Sequence, residues 1–389
     1  MLSIAFTGGG TGGHIYPGLA VYDELKKILD NVSGGSPALQ YKIFWIGSSS
    51  GMDREIVTGA GIEFFGIPSG KLRRYFSFRN ITDLFRIAGG FFAARKILKK
   101  QKVKLLFSKG GFVSVPPCAA AFSLGIPVFT HESDYSPGLA TKINSRFIGA
   151  KGKIFTAYEE TAKLLPAKTR AVLSDGDQIM KTGNPIRSIF NDADPAMGRA
   201  FLGLSDDARV ILVLGGSQGA KEINELVAAA LGEIKKIFTV VHQTGSNNEI
   251  NAQPCERYKP YPYFKKEMPH VMAAAQIVMG RSGAGIWEWA FLGKPMILLP
   301  LRGSGTRGDQ VENARFFEKA GAAQVLSSPY VDGKINPEEF LLAVNSLAQD
   351  SEKRNKMAEA SAKICKVNSA QLIAGALAAC INDQGGGKN

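Results

Sequence analysis

The chain has 389 residues, 45% hydrophobic and 21% charged, which is material for two cores of ordinary size and excludes a disordered segment or a polytopic membrane protein. Lys and Arg number 47 against 34 Asp and Glu, a formal +13, yet eleven of the bases and a single acid, Asp83, fall between Lys71 and Lys104. Because +10 of the charge is local, a basic shell wrapping duplex nucleic acid is not expected. The cysteines (Cys118, Cys255, Cys365, Cys380) are scattered with no CxxC pair, which argues against structural zinc and for a reduced compartment.

In chain order, Ser3-Ile-Ala-Phe6 reads as a buried strand entering Thr7-Gly-Gly-Gly-Thr-Gly-Gly-His14. The apolar start gives way to glycines where a signal peptide would continue, so a cytosolic chain is expected. Gly8, Gly10 and Gly13 form GxGxxG, which lets backbone approach a phosphate or sugar ahead of a helix starting near Pro17. The next strand, Lys42 to Ile46, ends in Gly47-Ser-Ser-Ser50, and the acid Asp53 comes late for a dinucleotide's ribose, which argues against an oxidoreductase. His14 closes the loop at a strand's carboxyl end, where ligands of α/β folds gather. A neutral imidazole there suits a general base, and this reading outweighs that of a buried structural histidine.

Between Lys71 and Lys104 the pattern is amphipathic as well as basic. Asn80 and Asp83 suit the start of a helix carrying Leu84, Phe85, Ala88, Phe91 and Phe92. Arg73, Arg74, Tyr75, Phe76, Phe78 and Arg79 precede it, cations interleaved with aromatics. Part of this is a core-facing helix with a solvated basic face. The rest suits an anionic membrane surface better than RNA, for which no RRM or KH signature is present. The uncharged run from Phe112 to Thr130 is long enough to span a bilayer, but Pro116, Pro117 and Pro127 favour a helix and a buried strand parted at Gly125-Ile-Pro127. His131-Glu132 follows that strand and reads equally as a salt bridge or as a site wall.

Thr182-Gly-Asn-Pro-Ile-Arg187 is the linker candidate. Beyond it Val210 to Leu214 runs into Gly215-Gly-Ser-Gln-Gly-Ala220, repeating the opening design a domain's length later. Met279-Gly-Arg-Ser-Gly-Ala-Gly285 and Glu288 read as strand, turn and helix, with the acid placed to hold a ribose diol or simply to meet the helix dipole. Asp309, Gln310 and Asn313 offer groups that read sugar hydroxyls or cap a helix. His242 and His270 read as structural. The pairs Asp175/Asp177 and Asp192/Asp194 read as a turn and a helix start, so no metal is expected.

Together these stretches resemble the MurG family: Gly9 to His14 with Pro17 to Ala20, Lys109-Gly-Gly-Phe-Val-Ser114, His131-Glu132 with Pro137-Gly-Leu139, Gly183 to Arg187, Gly215 to Ala220, Arg281-Ser-Gly-Ala284 with Glu288, and Asp309-Gln310 with Asn313. The resemblance implies a GT-B fold of class α/β, two Rossmann-like domains with parallel sheets facing a cleft. Residues 1–182 would form the acceptor domain and 183–365 the donor domain, with a helix in about 366–389 packing back on the first. The implied activity is inverting transfer of GlcNAc from UDP-GlcNAc to the C4 hydroxyl of MurNAc in lipid I, giving lipid II and UDP in peptidoglycan synthesis. It needs no obligatory protein-bound metal or other cofactor and no nucleic acid, and it takes place at the cytoplasmic face of the cell membrane. His14 and Glu132 would be catalytic candidates, with Thr11, Gly12, Gly13, Phe112, His131 and Asp134 lining the acceptor side. Arg187, Ser217, Gln218, Phe264, Arg281, Ala284, Gly285, Glu288, Asp309, Gln310 and Asn313 would bind the donor. This chain departs from the family at Asp134, where Asn is usual, at Ser133 in place of Gln, at Phe112 in place of Tyr, and in a shorter turn between Ala284 and Glu288. Other readings of the same fold are a glycolipid glycosyltransferase or a UDP-GlcNAc 2-epimerase, and beyond enzymes a non-catalytic nucleotide-sugar-binding module.

Overall fold

A computed structural model describes residues 2–33, 40–70, 79–173, 178–216, 219–245, 252–303 and 306–385. Ser217 and Gln218, the loop residues Arg73, Arg74, Tyr75, Phe76 and Phe78, and the Asp175/Asp177 pair lie outside the described residues, as does the side chain of Arg79. The chain divides into two compact units, residues 1–187 with 367–389, and residues 188–366. The first boundary lies a little beyond Thr182, after the extended 182–187 segment that Asn184-Pro185 keeps out of regular structure.

The first unit runs β1 (Leu2–Thr7), α1 (Tyr16–Ser33), β2 (Tyr41–Ser48), α2 (Asp53–Gly59), β3 (Glu63–Ile67), α3 (Arg79–Lys100), β4 (Leu105–Ser108), α4 (Val115–Ser123), β5 (Val128–Glu132), α5 (Leu139–Asn144), β6 (Lys153–Thr156), α6 (Glu160–Lys163), α7 (Ala167–Leu173) and β7 (Ile179–Lys181). Its strands form one parallel sheet in the order β3-β2-β1-β4-β5-β6-β7. Strand side chains alternate between two cores, as period-two geometry requires of a sheet covered on both faces. Ile4, Phe6, Trp45, Leu105 and Phe107 share one core with Val21 and Leu25 of α1. Ala5, Phe44, Ile46 and Leu106 share the other with Ala94 and Leu98 of α3 and Cys118 and Ala121 of α4.

The second unit runs α8 (Pro195–Leu202), β8 (Val210–Leu214), α9 (Lys221–Ile234), β9 (Thr239–Gln243), β10 (Tyr258–Tyr261), α10 (Met268–Ala274), β11 (Ile277–Gly280), α11 (Ile286–Phe291), β12 (Met296–Leu298), α12 (Asp309–Lys319) and β13 (Ala323–Val325). A two-strand ribbon, β14 (Tyr330–Val331) and β15 (Lys334–Ile335), and helices α13 (Glu338–Gln349) and α14 (Ser351–Ile364) follow. Six strands make a second parallel sheet, β10-β9-β8-β11-β12-β13. Asp194 caps α8 by accepting the Ala196 N–H at 2.8 Å, as expected of Asp-Pro at a helix start.

The last helix, α15 (Ser369–Gly385), returns to the first unit and packs on α1. Residues 351–383 are apolar and helical enough to pass for a membrane span by length and composition. Ile373, Ala374, Leu377 and Ile381, however, are buried in the core beside α1.

Candidate functional site

Each sheet reverses strand order once, between β1 and β4 in the first unit and between β8 and β11 in the second. Loops leaving the carboxyl ends at such a reversal splay apart and leave a crevice, the usual ligand position in open α/β sheets. The motifs sit there: residues 8–14 follow β1 and 109–112 follow β4, while 215–220 follow β8 and 281–285 follow β11.

In the first unit the two turns pack together. Gly10 (φ 85°) faces Phe112 so closely that a Cβ would stand 2.6 Å from the ring. Gly111 (φ 78°) lies against the His14 imidazole, where a Cβ would come within 3.0 Å of Cδ2. Only glycine tolerates both the positive φ and the approach. Thr11 and Gly13 are exposed, Gly12 is buried and His14 is half-buried in a 3-10 turn that closes through its N–H to the Thr11 carbonyl at 3.1 Å.

The His131-Glu132 pair has a more structural placement. His131 Nε2 donates to the Gly183 carbonyl at 2.9 Å, and burial holds the imidazole pKa well below its ordinary value, so the ring stays neutral. Glu132 uses both oxygens locally, Oε1 accepting the Asp134 N–H at 3.0 Å and Oε2 the Gly138 N–H at 2.8 Å. The sequence offers Glu132 as a proton acceptor; in the structure its carboxylate also braces the 132–138 turn.

Sequence reasoning missed Lys109, which lies inside a recognised motif and is fully buried. Its ammonium donates to Ser133 Oγ at 2.5 Å, and Ser133 donates on to Asn184 Oδ1 at 2.7 Å. Burial lowers the Lys109 pKa to about 8, against the opposing pull of the Glu132 and Asp134 carboxylates. Asp134, where the family pattern has Asn, therefore lies in the field of a buried cation. A lysine in an otherwise Gly-rich turn after a buried strand was the available signal. Arg187 ends this unit with its guanidinium 4.7 Å from the centre of the Tyr16 ring, at the start of α1.

In the second unit Arg281 ties the two turns. Its guanidinium pairs with Glu222 in the first turn of α9 and donates to the Leu299 carbonyl at 3.1 Å. Nothing in the sequence pattern singled out Glu222. Ala284 is half-buried, Gly285 is exposed, and Glu288 falls in the first turn of α11. At the start of α12, Asp309 pairs with Arg307 at 2.7 Å and the Gln310 side chain accepts the Leu301 N–H at 3.0 Å. Asn313 is buried and donates to the Ser282 carbonyl at 3.0 Å, holding the Arg281 turn to α12. Phe264 is buried as well, its ring 4.7 Å from that of Tyr261 and its N–H on Gln243 Oε1 at 3.0 Å.

The other histidines carry the structural roles expected of them. His242 is fully buried with its pKa pushed down to about 3, and His270 Nδ1 accepts the Asp194 N–H at 3.1 Å. Among the described residues no group of three or more His, Cys, Asp or Glu side chains is arranged to hold a metal ion.

A family model described as the glycosyltransferase family 28 N-terminal domain matches residues 4–151, and one described as its C-terminal domain matches residues 210–374. The UDP-N-acetylglucosamine--N-acetylmuramyl-(pentapeptide) pyrophosphoryl-undecaprenol N-acetylglucosamine transferase of Treponema denticola is 44% identical over 400 residues, covering 96% of each chain. The protein of the same name from Treponema pallidum strain Nichols is 43% identical, covering 83% of this chain and 82% of its own. The crystal structure of Acinetobacter baumannii MurG matches with a TM-score of 0.68 at 22% identity, covering 96% of this chain and 98% of that one, a likeness of fold. With both halves matched and such identity along nearly its whole length, the chain belongs to the MurG family of glycosyltransferases.

Proposed function

We propose that this protein transfers GlcNAc from UDP-GlcNAc to the C4 hydroxyl of the MurNAc sugar in lipid I, with inversion, giving lipid II and UDP. The observation that carries the reading is the 44% identity over 96% of both chains to a relative named for that transfer. The acceptor is assigned to the β1/β4 crevice and the donor to the β8/β11 crevice. His14 accepts the proton of the attacking hydroxyl from its place at the end of the β1 loop, with Glu132 as the other candidate. The exposed Thr11 and Gly13, with Gly12 and Phe112, line the acceptor beside it. On the donor side Glu288 holds the ribose, while Asp309 and Gln310 meet the GlcNAc hydroxyls. The 215–220 turn, with Ser217 and Gln218, is assigned to the diphosphate and to its developing charge as UDP departs. Ala284 and Gly285 border the nucleotide. Arg281 acts through Glu222 to hold the two donor turns together.

The acceptor's lipid calls for a membrane-facing surface, and α3 offers one. Leu84, Phe85 and Phe92 are 61%, 74% and 68% exposed. Leu84, Ala88 and Phe92 succeed one another every four residues, and the same face continues into Arg95 and Lys99. Arg95 reaches Ser123 on α4 at 3.3 Å, beside the half-exposed Phe122. An apolar stripe running into cations suits peripheral attachment to an anionic leaflet at the cytoplasmic face. Arg73, Arg74, Tyr75, Phe76, Phe78 and Arg79, which precede this face in the chain, are proposed for membrane contact from their sequence pattern of interleaved cations and aromatics.

Incubation of the protein with UDP-GlcNAc and lipid I should yield the disaccharide lipid and one UDP per transfer. UDP-GlcNAc alone and UDP-GlcNAc with diacylglycerol are the comparison arms. Epimerised sugar in the first, a glycosylated diacylglycerol in the second, or binding without UDP release in all three would refute the reading.

A further inference from the structure

Asp53, the acid that comes too late after β2 to hold a dinucleotide's ribose, is 1% exposed at the start of α2. Its carboxylate turns back towards the first glycine loop. Oδ1 accepts the Gly10 N–H at 2.9 Å and Oδ2 accepts the Ser48 N–H at 3.0 Å. Gly9 packs on the same group, and a Cβ there would overlap the carboxylate oxygens. The φ of Gly9 is not positive, so it is this contact, rather than backbone conformation, that demands a glycine.

A glycine loop ahead of a helix ordinarily offers its amides to a ligand's anionic oxygens. Here a buried side chain has supplied the oxygen, through two charge-assisted bonds that join the loop to the end of β2. The loop is thereby held before any substrate arrives. We infer that Asp53 is a positioning residue, an internal anion that fills the phosphate-binding position of the 8–14 loop and sets Thr11, Gly12, Gly13 and His14 for the acceptor. This rests on the reading of the first unit as the acceptor side.

Asp53→Asn keeps size and shape but replaces one acceptor with an NH2 group, so that one of the two amides meets a donor. Turnover should fall roughly tenfold or more and the KM for lipid I should rise. The affinity for UDP-GlcNAc, measured by calorimetry without acceptor, should stay within about twofold of wild type because the donor belongs to the other unit. Gly9→Ala displaces the same carboxylate from the opposite side and should reproduce the defect. Gly9→Ala combined with Asp53→Ala should be no worse than Asp53→Ala alone, since the added methyl then has room. This pair carries the test if Asp53→Asn does not fold.

A folded Asp53→Asn enzyme within about twofold of wild-type turnover, an equal loss of donor affinity, or losses that multiply in the double variant would overturn the inference. The wild-type control keeps the two ideas apart. Absence of transfer there refutes the transferase reading, whereas the ratio of variant to wild type tests Asp53.

Discussion

Replacing the buried Lys109 with Met should change how stability depends on pH. An unfolded chain holds the lysine proton up to about pH 10.5, whereas burial brings the folded value down to about 8. Below pH 8 both states carry the charge and the folded protein bears its whole desolvation cost. Between pH 8 and 10.5 the unfolded chain holds the extra proton, so stability rises with pH through that window and then levels off. At about 1.4 kcal/mol per unit, the shift corresponds to roughly 3 kcal/mol at the top of the window, an upper figure. Lys109→Met lacks this gain and loses the bond to Ser133 at every pH. Denaturant unfolding of both proteins from pH 7 to pH 10 should show wild type gaining about 2–3 kcal/mol on the variant. The Lys294 ammonium, which burial also lowers to about 8, and the tyrosines with raised pKa cancel in this difference. Asp134→Asn should start the rise at lower pH, because it removes a carboxylate that favours the charged ammonium. A wild-type-to-variant difference that stays flat across the range would refute the assignment of the buried charge.

Three further outcomes are expected. His14→Ala should lower turnover at saturating substrates by about 10²–10⁴ while leaving UDP-GlcNAc binding intact; near-normal turnover would remove His14 as the base. Phe85→Ser with Phe92→Ser should weaken binding to anionic vesicles by about tenfold or more, at on the order of 1–2 kcal/mol per ring, and charge reversal at Arg95, Lys96 and Lys99 should remove the salt-sensitive part. Vesicle sedimentation reads both effects, and unchanged binding would exclude α3 as the contact. Glu222→Gln should raise the KM for UDP-GlcNAc more than it lowers turnover, because it frees Arg281 between the donor turns; a purely catalytic loss measured by initial rates would contradict that.

The strands and turns were legible in the sequence because buried parallel strands are short apolar runs and glycine turns punctuate them. Ser3 to Phe6 and Val210 to Leu214 read as strands, and they form the bulk of β1 and the whole of β8. What escaped were side chains whose roles depend on residues distant in sequence. Asp53 looked like a misplaced ribose acid because only the folded chain brings Gly10 to it, across 43 positions. Glu132 is the local exception: it braces its own turn through backbone amides two and six residues on, which no residue type reveals. Asp134 looked like a plain departure from pattern until the Lys109 ammonium was located in the same buried pocket of charge. Asn313, read as a sugar contact or a cap, also donates to the Ser282 carbonyl across 31 positions.

The two crevices share a topology but treat their glycine turns in opposite ways. Next to β1, the end of β2 leads to Asp53, whose oxygen takes a turn amide, and the anion position is filled from within. Next to β8, the strand-end residue is Gln243, whose Nε2 donates to the Gly216 carbonyl at 3.0 Å while Oε1 accepts the Phe264 N–H at 3.0 Å. A donor on a turn carbonyl steadies the loop without placing an anion against its amides. That asymmetry agrees with the proposed placing of the nucleotide diphosphate at the second unit's turn and of the attacking hydroxyl at the first's. Gln243→Glu should therefore bring the first unit's arrangement into the second. The carboxylate cannot donate to Gly216, and its charge opposes an incoming diphosphate, so UDP affinity should fall by about tenfold or more and recover partly in high salt. Gln243→Met removes the same bonds without adding charge and should weaken UDP binding much less. Equal losses in the two variants, measured by calorimetry at two ionic strengths, would mean that the turn's shape alone decides which unit takes the nucleotide.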